Sequence, residues 1–169
     1  PAARRLDDGV RAAGAGRAMA LRRGRGRAPR RLALPTGFAA LPPVLAMGGD
    51  MKAAFCLIQD GQALLSHHLG DLHDAGVQGA ARQALADYRT LFGLTPALVA
   101  VDPHPDYISH RLGAEMAAAT GLTPHPARHH QPPIAACMAE HGAPPAPPPA
   151  PAPAPAGPLL GPARTDRAL

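Results

Sequence analysis

The sequence predicts an α/β fold in which three strands come first and helices then alternate with strands, and three observations carry that prediction. Short apolar runs at 44–47, 54–59 and 63–67 are separated by Gly48-Gly49 and Asp60-Gly61, the punctuation of a small antiparallel sheet. Beyond Asp74 the apolar residues change to helical spacing and hold it as far as Gly93. A short apolar run at 97–101 then precedes a second helical stretch, so the second half of the chain alternates element types.

Each element has its own justification. Asp60-Gly61 is a strong hairpin signal because a two-residue turn needs positive φ, which these residues tolerate. Asp74 is placed as the N-cap of the first helix, Val77, Ala81, Ala84, Leu85, Tyr88, Leu91 and Phe92 recur on one face, and Gly93 supplies the stop. Residues 97–101 read as a short buried strand. Asp106 is placed as the opening of the second helix, in which Ile108, Leu112, Met116 and Ala119 share a face and Gly121 ends the pattern. Residues 123–130 can return as an edge strand, where Pro124 and Pro126 remove two backbone donors. Pro133 suits the first turn of a third helix through about His141, with Ile134, Cys137, Met138 and His141 on one side. The order β-β-β-α-β-α-β is that of one lobe of the actin, sugar-kinase and heat-shock ATPase (RNase H-like) fold.

Composition divides the rest of the chain. Among 169 residues there are 22 prolines and 18 glycines with 3% aromatics, too little bulk for a core running the full length. Residues 1–31 carry ten arginines against Asp7 and Asp8, so the excess positive charge of the whole chain, +5, resides in this arm. Residues 32–43 read as a Pro/Gly linker, 44–142 as the folded lobe, and 143–169 as a Pro/Ala-rich tail, disordered and extended in the manner of polyproline II. Pro1 in place of a methionine reads as the edge of a fragment.

Several function classes lose ground on these grounds. An arginine-rich arm can bind nucleic acid, but this one lacks interleaved aromatics or a clean amphipathic face. Arg30-Arg31 imitates a twin-arginine signal, yet Pro35, Pro42 and Pro43 interrupt the apolar stretch that would have to follow. No run reaches membrane-spanning length. Cys56 and Cys137 each sit in an apolar segment, far apart in sequence, which suits reduced, buried thiols in a cytoplasmic protein.

Four motifs carry chemistry. Val44-Leu45-Ala46-Met47-Gly48-Gly49-Asp50-Met51-Lys52-Ala53-Ala54-Phe55-Cys56-Leu57 is similar to "LALGGELKNTFCL", and Ser66-His67-His68-Leu69-Gly70-Asp71-Leu72 to "SQHIGDL". Asp102-Pro103-His104-Pro105-Asp106-Tyr107-Ile108-Ser109 is similar to "DLHPDYLS", and the run from His129-His130 to Glu140-His141 to "HHHAHIAACMAEH". Upstream, Leu21-Arg22-Arg23-Gly24-Arg25-Gly26 with Ala28-Pro29 looks like the "LRRARGYAP" exit of a YrdC-like domain. In this order the motifs resemble the HypF-type carbamoyltransferases of hydrogenase maturation, over about residues 5–142. The matched part is the end of the YrdC-like domain and the first lobe of the carbamoyltransferase domain.

That resemblance implies a chemistry. Such proteins make a carbamoyl adenylate from carbamoyl phosphate and ATP and pass the carbamoyl group to the C-terminal cysteine of a HypE-type partner, a source of the cyanide ligands of nickel-iron hydrogenase. It implies zinc or iron held by the first and last histidines of HHHAH and a downstream aspartate. Here His129 keeps the first position and Pro133 stands in the second. Proline offers no donor atom, and catalytic zinc ordinarily takes about three protein ligands, so this chain is expected to bind no metal. His125, His130 and His141 are the candidates for a substitute ligand.

Gly48, Gly49 and Lys52 are candidates for the phosphate side of a nucleotide, since glycine permits close backbone approach and lysine supplies charge. Asp50 and Ala53 depart from the family's glutamate and asparagine. His104, Asp106 and Tyr107 are candidates for the cleft between lobes, with helix capping the competing role for Asp106. No catalytic residue is assigned. Two other functions stay open: a non-catalytic remnant that still meets a maturation partner, and an arginine-arm nucleic-acid binder.

Overall fold

The computed structural model describes residues 4, 6–14 and 16–128. The third helix expected from Pro133, the ligand positions His129 and Pro133, Cys137 and the Pro/Ala tail lie outside the described residues.

Two strands, β1 (Val10–Gly14) and β2 (Arg17–Arg22), form an antiparallel hairpin. A six-stranded sheet follows, built from β3 (Arg30–Ala33), β4 (Val44–Met47), β5 (Phe55–Gln59), β6 (Gln62–Leu65), β7 (Leu98–Val101) and β8 (His125–Pro126). Helix α1 (Ala75–Phe92) joins β6 to β7, and α2 (Ile108–Ala119) joins β7 to β8. The strand order across the sheet is β3-β6-β5-β4-β7-β8. The first four strands pair antiparallel, whereas β4-β7 and β7-β8 are parallel, as crossovers through helices require.

The hairpin between β5 and β6 turns on Asp60 at φ 53° and Gly61 at φ 70°, the doubly positive geometry of a type I′ turn. The sheet interior holds Leu45, Phe55, Leu57, Val99 and Val101, all under 2% exposed. Onto it α1 lays Val77, Ala81, Ala84, Leu85 and Tyr88, starting at Asp74, whose side chain accepts from Gly76 and Val77, and stopping at Gly93 with φ 61°. Leu91, expected on that face, is 69% exposed, because the buried stripe has turned away from it by the last turn.

The face of α2 also needs correcting. It buries Ile108, Ser109, Leu112, Gly113 and Ala117, and Ala119 is exposed. A side chain at Gly113 would collide with Val101 Cγ1 and stand 2.9 Å from Met47 Cγ; the glycine lets the helix settle close onto β7 and β4. The turn after α2 places Gly121 at φ 70°.

The arginine-rich region differs most from the expectation. The boundary drawn at residue 31 between arm and linker falls inside β3, which pairs with β6 from Arg30 opposite Leu65 to Ala33 opposite Gln62. The four residues of β3 are all exposed, so this edge strand carries no apolar alternation by which a sequence could reveal it. Arg31 is instead held by its neighbours, its Nη1 donating to Gln62 Oε1 at 3.2 Å and its guanidinium lying 5.6 Å from the centre of the Phe92 ring. Among the described residues, no helix is long and apolar enough to cross a membrane.

Candidate functional site

The loop from β4 to β5 is stitched to two other segments by its backbone. Gly48 N donates to Ala54 O at 2.9 Å, Ala53 N to Gly70 O at 2.9 Å, and Leu72 N to Asp50 O at 2.9 Å. The motif at 66–72 therefore braces the glycine loop. Within that motif Ser66 and His67 have structural roles. Ser66 Oγ accepts from Phe55 N at 2.9 Å and donates to His67 O at 2.8 Å, and the Tyr88 hydroxyl lies 3.4 Å from His67 Nδ1. Burial lowers the His67 pKa, against a smaller opposing effect of Asp7.

Gly48 and Gly49 differ in what they permit. A Cβ on Gly48 would stand 2.5 Å from Ala54 O, while no atom beyond its chain neighbours lies within 4 Å of the same position on Gly49. The first glycine closes the turn, and the second leaves an open face.

Asp50 joins this loop to the third motif. Its Oδ2 accepts from Ile108 N and its Oδ1 from Ser109 N, both at 2.9 Å. The carboxylate is thus the cap of α2, satisfying first-turn amides that have no partner within the helix and sitting at the positive end of its dipole. Burial would raise the Asp50 pKa, but the amides of Ser109 and Ile108, with His73 Nε2 at 3.8 Å, hold it below the ordinary value.

The expected capping by Asp106 is overturned. The cap residue of α2 is Tyr107, with no side-chain cap bond of its own, and Asp106 is exposed. Capping signals look for an acceptor within three residues, and here the acceptor comes from 58 residues upstream. Of the cleft candidates, His104 and Tyr107 stack, their rings 4.6 Å apart and inclined by 16°. His104 N donates to Asp102 Oδ1 at 2.9 Å, and Tyr107 is 37% exposed.

Lys52, two positions beyond Asp50 in the same loop, is exposed and lines a cavity of about 440 Å³ shared with Arg22, Arg23 and His68. The sequence offered no sign that the arginine pair and the lysine would meet. Cys56 is a free, half-buried thiol whose pKa burial pushes up to about 11, which removes it as a nucleophile near neutrality.

Residues 39–140 match the model of the HypF Kae1-like domain. The chain belongs to the HypF carbamoyltransferase family. It is 49% identical over 139 residues to carbamoyltransferase HypF of Rhodobacter capsulatus, covering 82% of this chain and 18% of that protein. Against carbamoyltransferase HypF of Synechocystis it is 36% identical over 137 residues, covering 81% and 17%. A crystal structure of full-length HypF in the phosphate- and nucleotide-bound form superposes with a TM-score of 0.72 at 34% identity, over 81% of this chain and 17% of that one. The crystal structure of T. kodakarensis HypF gives a TM-score of 0.73 at 28% identity, over 82% and 18%. The chain therefore spans less than a fifth of each of these four HypF proteins, and it shares their mixed α/β fold.

His129 and Pro133, the two positions that the resemblance assigns to a metal, lie outside the described residues, as do His130 and His141. Among the described residues no group of three His, Cys, Asp or Glu side chains could hold a metal ion.

Proposed function

We propose that this chain is the first lobe of an ATPase-like carbamoyltransferase domain, preceded by the end of a YrdC-like domain. The complete protein would form carbamoyl adenylate from carbamoyl phosphate and ATP in the cytoplasm. It would then transfer the carbamoyl group to the C-terminal cysteine of a HypE-type partner in nickel-iron hydrogenase maturation. The observation that carries this reading is the junction at Asp50, which holds the glycine loop and the His104–Ser109 motif in one arrangement within a segment matched to the HypF Kae1-like domain.

Within that function the chain's own residues divide the work. Gly49 offers an open backbone face to the phosphate of the adenylate, and Lys52 contributes positive charge. Asp50 keeps the loop in place from below, and the stacked His104 and Tyr107 border the cleft toward the second lobe. By itself the chain does not turn over, since the second ligand position is Pro133 and the contacts of the opposite lobe come from elsewhere.

The test replaces the matching segment of the Rhodobacter capsulatus protein with residues 5–142 of this chain. Carbamoylation of the partner's C-terminal cysteine, dependent on ATP and carbamoyl phosphate, is then followed by mass spectrometry. The chimera is expected to be inactive, and Pro133→His is expected to restore transfer. Full transfer with Pro133 unchanged, or none after the restoring substitution in a folded chimera, would count against the reading.

A further inference from the structure

A separate cavity of about 350 Å³ is lined by Ala28 and Pro29 from the arginine-rich region, by Ala80, Ala84 and Tyr88 from α1, and by His67. Three alanines keep the space open. The charged residues of the lining answer one another. Arg4 Nε donates to Asp87 Oδ2 at 2.6 Å and Arg4 Nη2 to Asp87 Oδ1 at 3.2 Å, and Gln83 Nε2 donates to the same Oδ1 at 2.8 Å. One cation and one anion, paired, leave no net charge to attract an ion. The buried polar pair of the lining is joined more loosely. His67 is 9% and Tyr88 7% exposed; the Tyr88 hydroxyl accepts from His67 N at 3.3 Å and stands 3.4 Å from His67 Nδ1, both long for hydrogen bonds. Among the described residues no other hydrogen bond reaches that hydroxyl or that ring.

A buried hydroxyl and imidazole held only by long bonds have capacity to spare for a ligand. The geometry points to a binding site for a small, uncharged aromatic molecule that bears a hydroxyl, its ring against the alanines and Pro29 and its hydroxyl on the Tyr88–His67 pair. Small-molecule sites run from about 300 to 1,000 Å³, so this one takes a compact ligand. Tyr88 already meets Phe55 edge to face at 5.1 Å and Phe92 at 5.9 Å between ring centres, and an aromatic ligand extends that cluster. Burial lowers the His67 pKa and raises that of Tyr88, so both stay uncharged near neutrality, the imidazole able to accept and the phenol to donate. An ion would lose its hydration here without gaining a partner. The site goes beyond the function proposed above and shares no residue with it.

The chain contains no tryptophan, so the fluorescence of 2-naphthol can be followed on the 169-residue chain near neutral pH without a protein background. Saturable binding of one molecule per chain is expected, tighter by about tenfold or more than that of naphthalene-2-sulfonate, which has the same rings but carries a charge. Ala80→Leu fills the cavity from a half-buried position on α1, and Tyr88→Phe removes only the hydroxyl; each is expected to weaken binding about tenfold. Leucine is a good helix former and phenylalanine keeps the ring packing, so both variants are expected to keep the circular dichroism of the parent chain. Absence of saturable binding, equal affinity for the sulfonate, tighter binding of adenosine, or indifference to both substitutions would each overturn the site. So would a dimer present at the assay concentration that Ala80→Leu dissolves, since the cavity would then belong to a second copy. Naphthol binding and carbamoyl transfer are read separately, so the loss of one proposal leaves the other standing.

Discussion

Ser109 N donates to Asp50 Oδ1 at 2.9 Å across 59 positions of sequence. With the neighbouring bond from Ile108 N to Oδ2, this makes one carboxylate both the brace of the glycine loop and the cap of α2. Its replacement should register in stability first. Asp50→Ala strands two buried amides and should cost about 2–3 kcal/mol, while Asp50→Asn keeps one acceptor oxygen and should cost about 1 kcal/mol. Urea unfolding measures both. A shift in midpoint at unchanged slope is the expected result, and a loss below about 0.5 kcal/mol for the alanine variant would mean that the cap is dispensable.

The same carboxylate and His67 set two windows of pH dependence. Asp50 has a lowered pKa in the folded chain, so its contribution is complete above the ordinary aspartate value, about 3.9, and is lost as pH falls through the lower folded value. Burial depresses the His67 imidazole. As pH falls below the ordinary histidine value of about 6.5, the unfolded chain takes up that proton first and stability declines. Unfolding curves from pH 7 to pH 3 should therefore show two declines. Asp87, held low by Arg4, adds to the lower decline, so Asp50→Asn is expected to reduce it and His67→Gln to reduce the upper one; curves parallel to those of the parent chain would refute these assignments.

Gly48 and Gly49 are adjacent and chemically identical, yet should respond differently to a methyl group. Gly48→Ala drives a Cβ to 2.5 Å from Ala54 O, an overpacking expected to cost about 1–3 kcal/mol. Gly49→Ala meets open space and should change stability by less than about 0.5 kcal/mol. Equal costs would show that the loop relaxes around the first glycine.

Cys56 should resist alkylation. With the thiol at about 11, the thiolate fraction at pH 8 is roughly a hundredfold below that of a free cysteine, and labelling should slow in proportion. Peptide mapping after iodoacetamide treatment, with and without urea, isolates this residue from Cys137. Equal labelling in both conditions would contradict the burial of the thiol.

The lesson for reading such a sequence lies in which signals are local. Asp60-Gly61, Asp74 and Gly93 do as their types foretell, because a turn or a cap is satisfied by atoms within a few residues. The motif at 102–109 is legible as a motif, but the helix cap expected from its Asp106 is supplied by Asp50. Asp50, the residue that organises the candidate site, was read only as a departure from the family's glutamate. That acidic position beside two glycines was the available clue, and its target 58 residues away could not be found from spacing.

The amino-acid sequence by itself determined the strands and turns of residues 44–65, the span of α1 with both caps, and the membership carried by four ordered motifs. Only the tertiary structure decided that the arginine-rich start contributes a hairpin and an edge strand, that α2 is capped by Asp50, and that Lys52 faces Arg22 and Arg23 across one cavity. Local patterns record what a residue needs from its chain neighbours. Edge strands with exposed side chains and contacts between distant polar groups leave no such pattern, because their free energy comes from partners that only folding brings near.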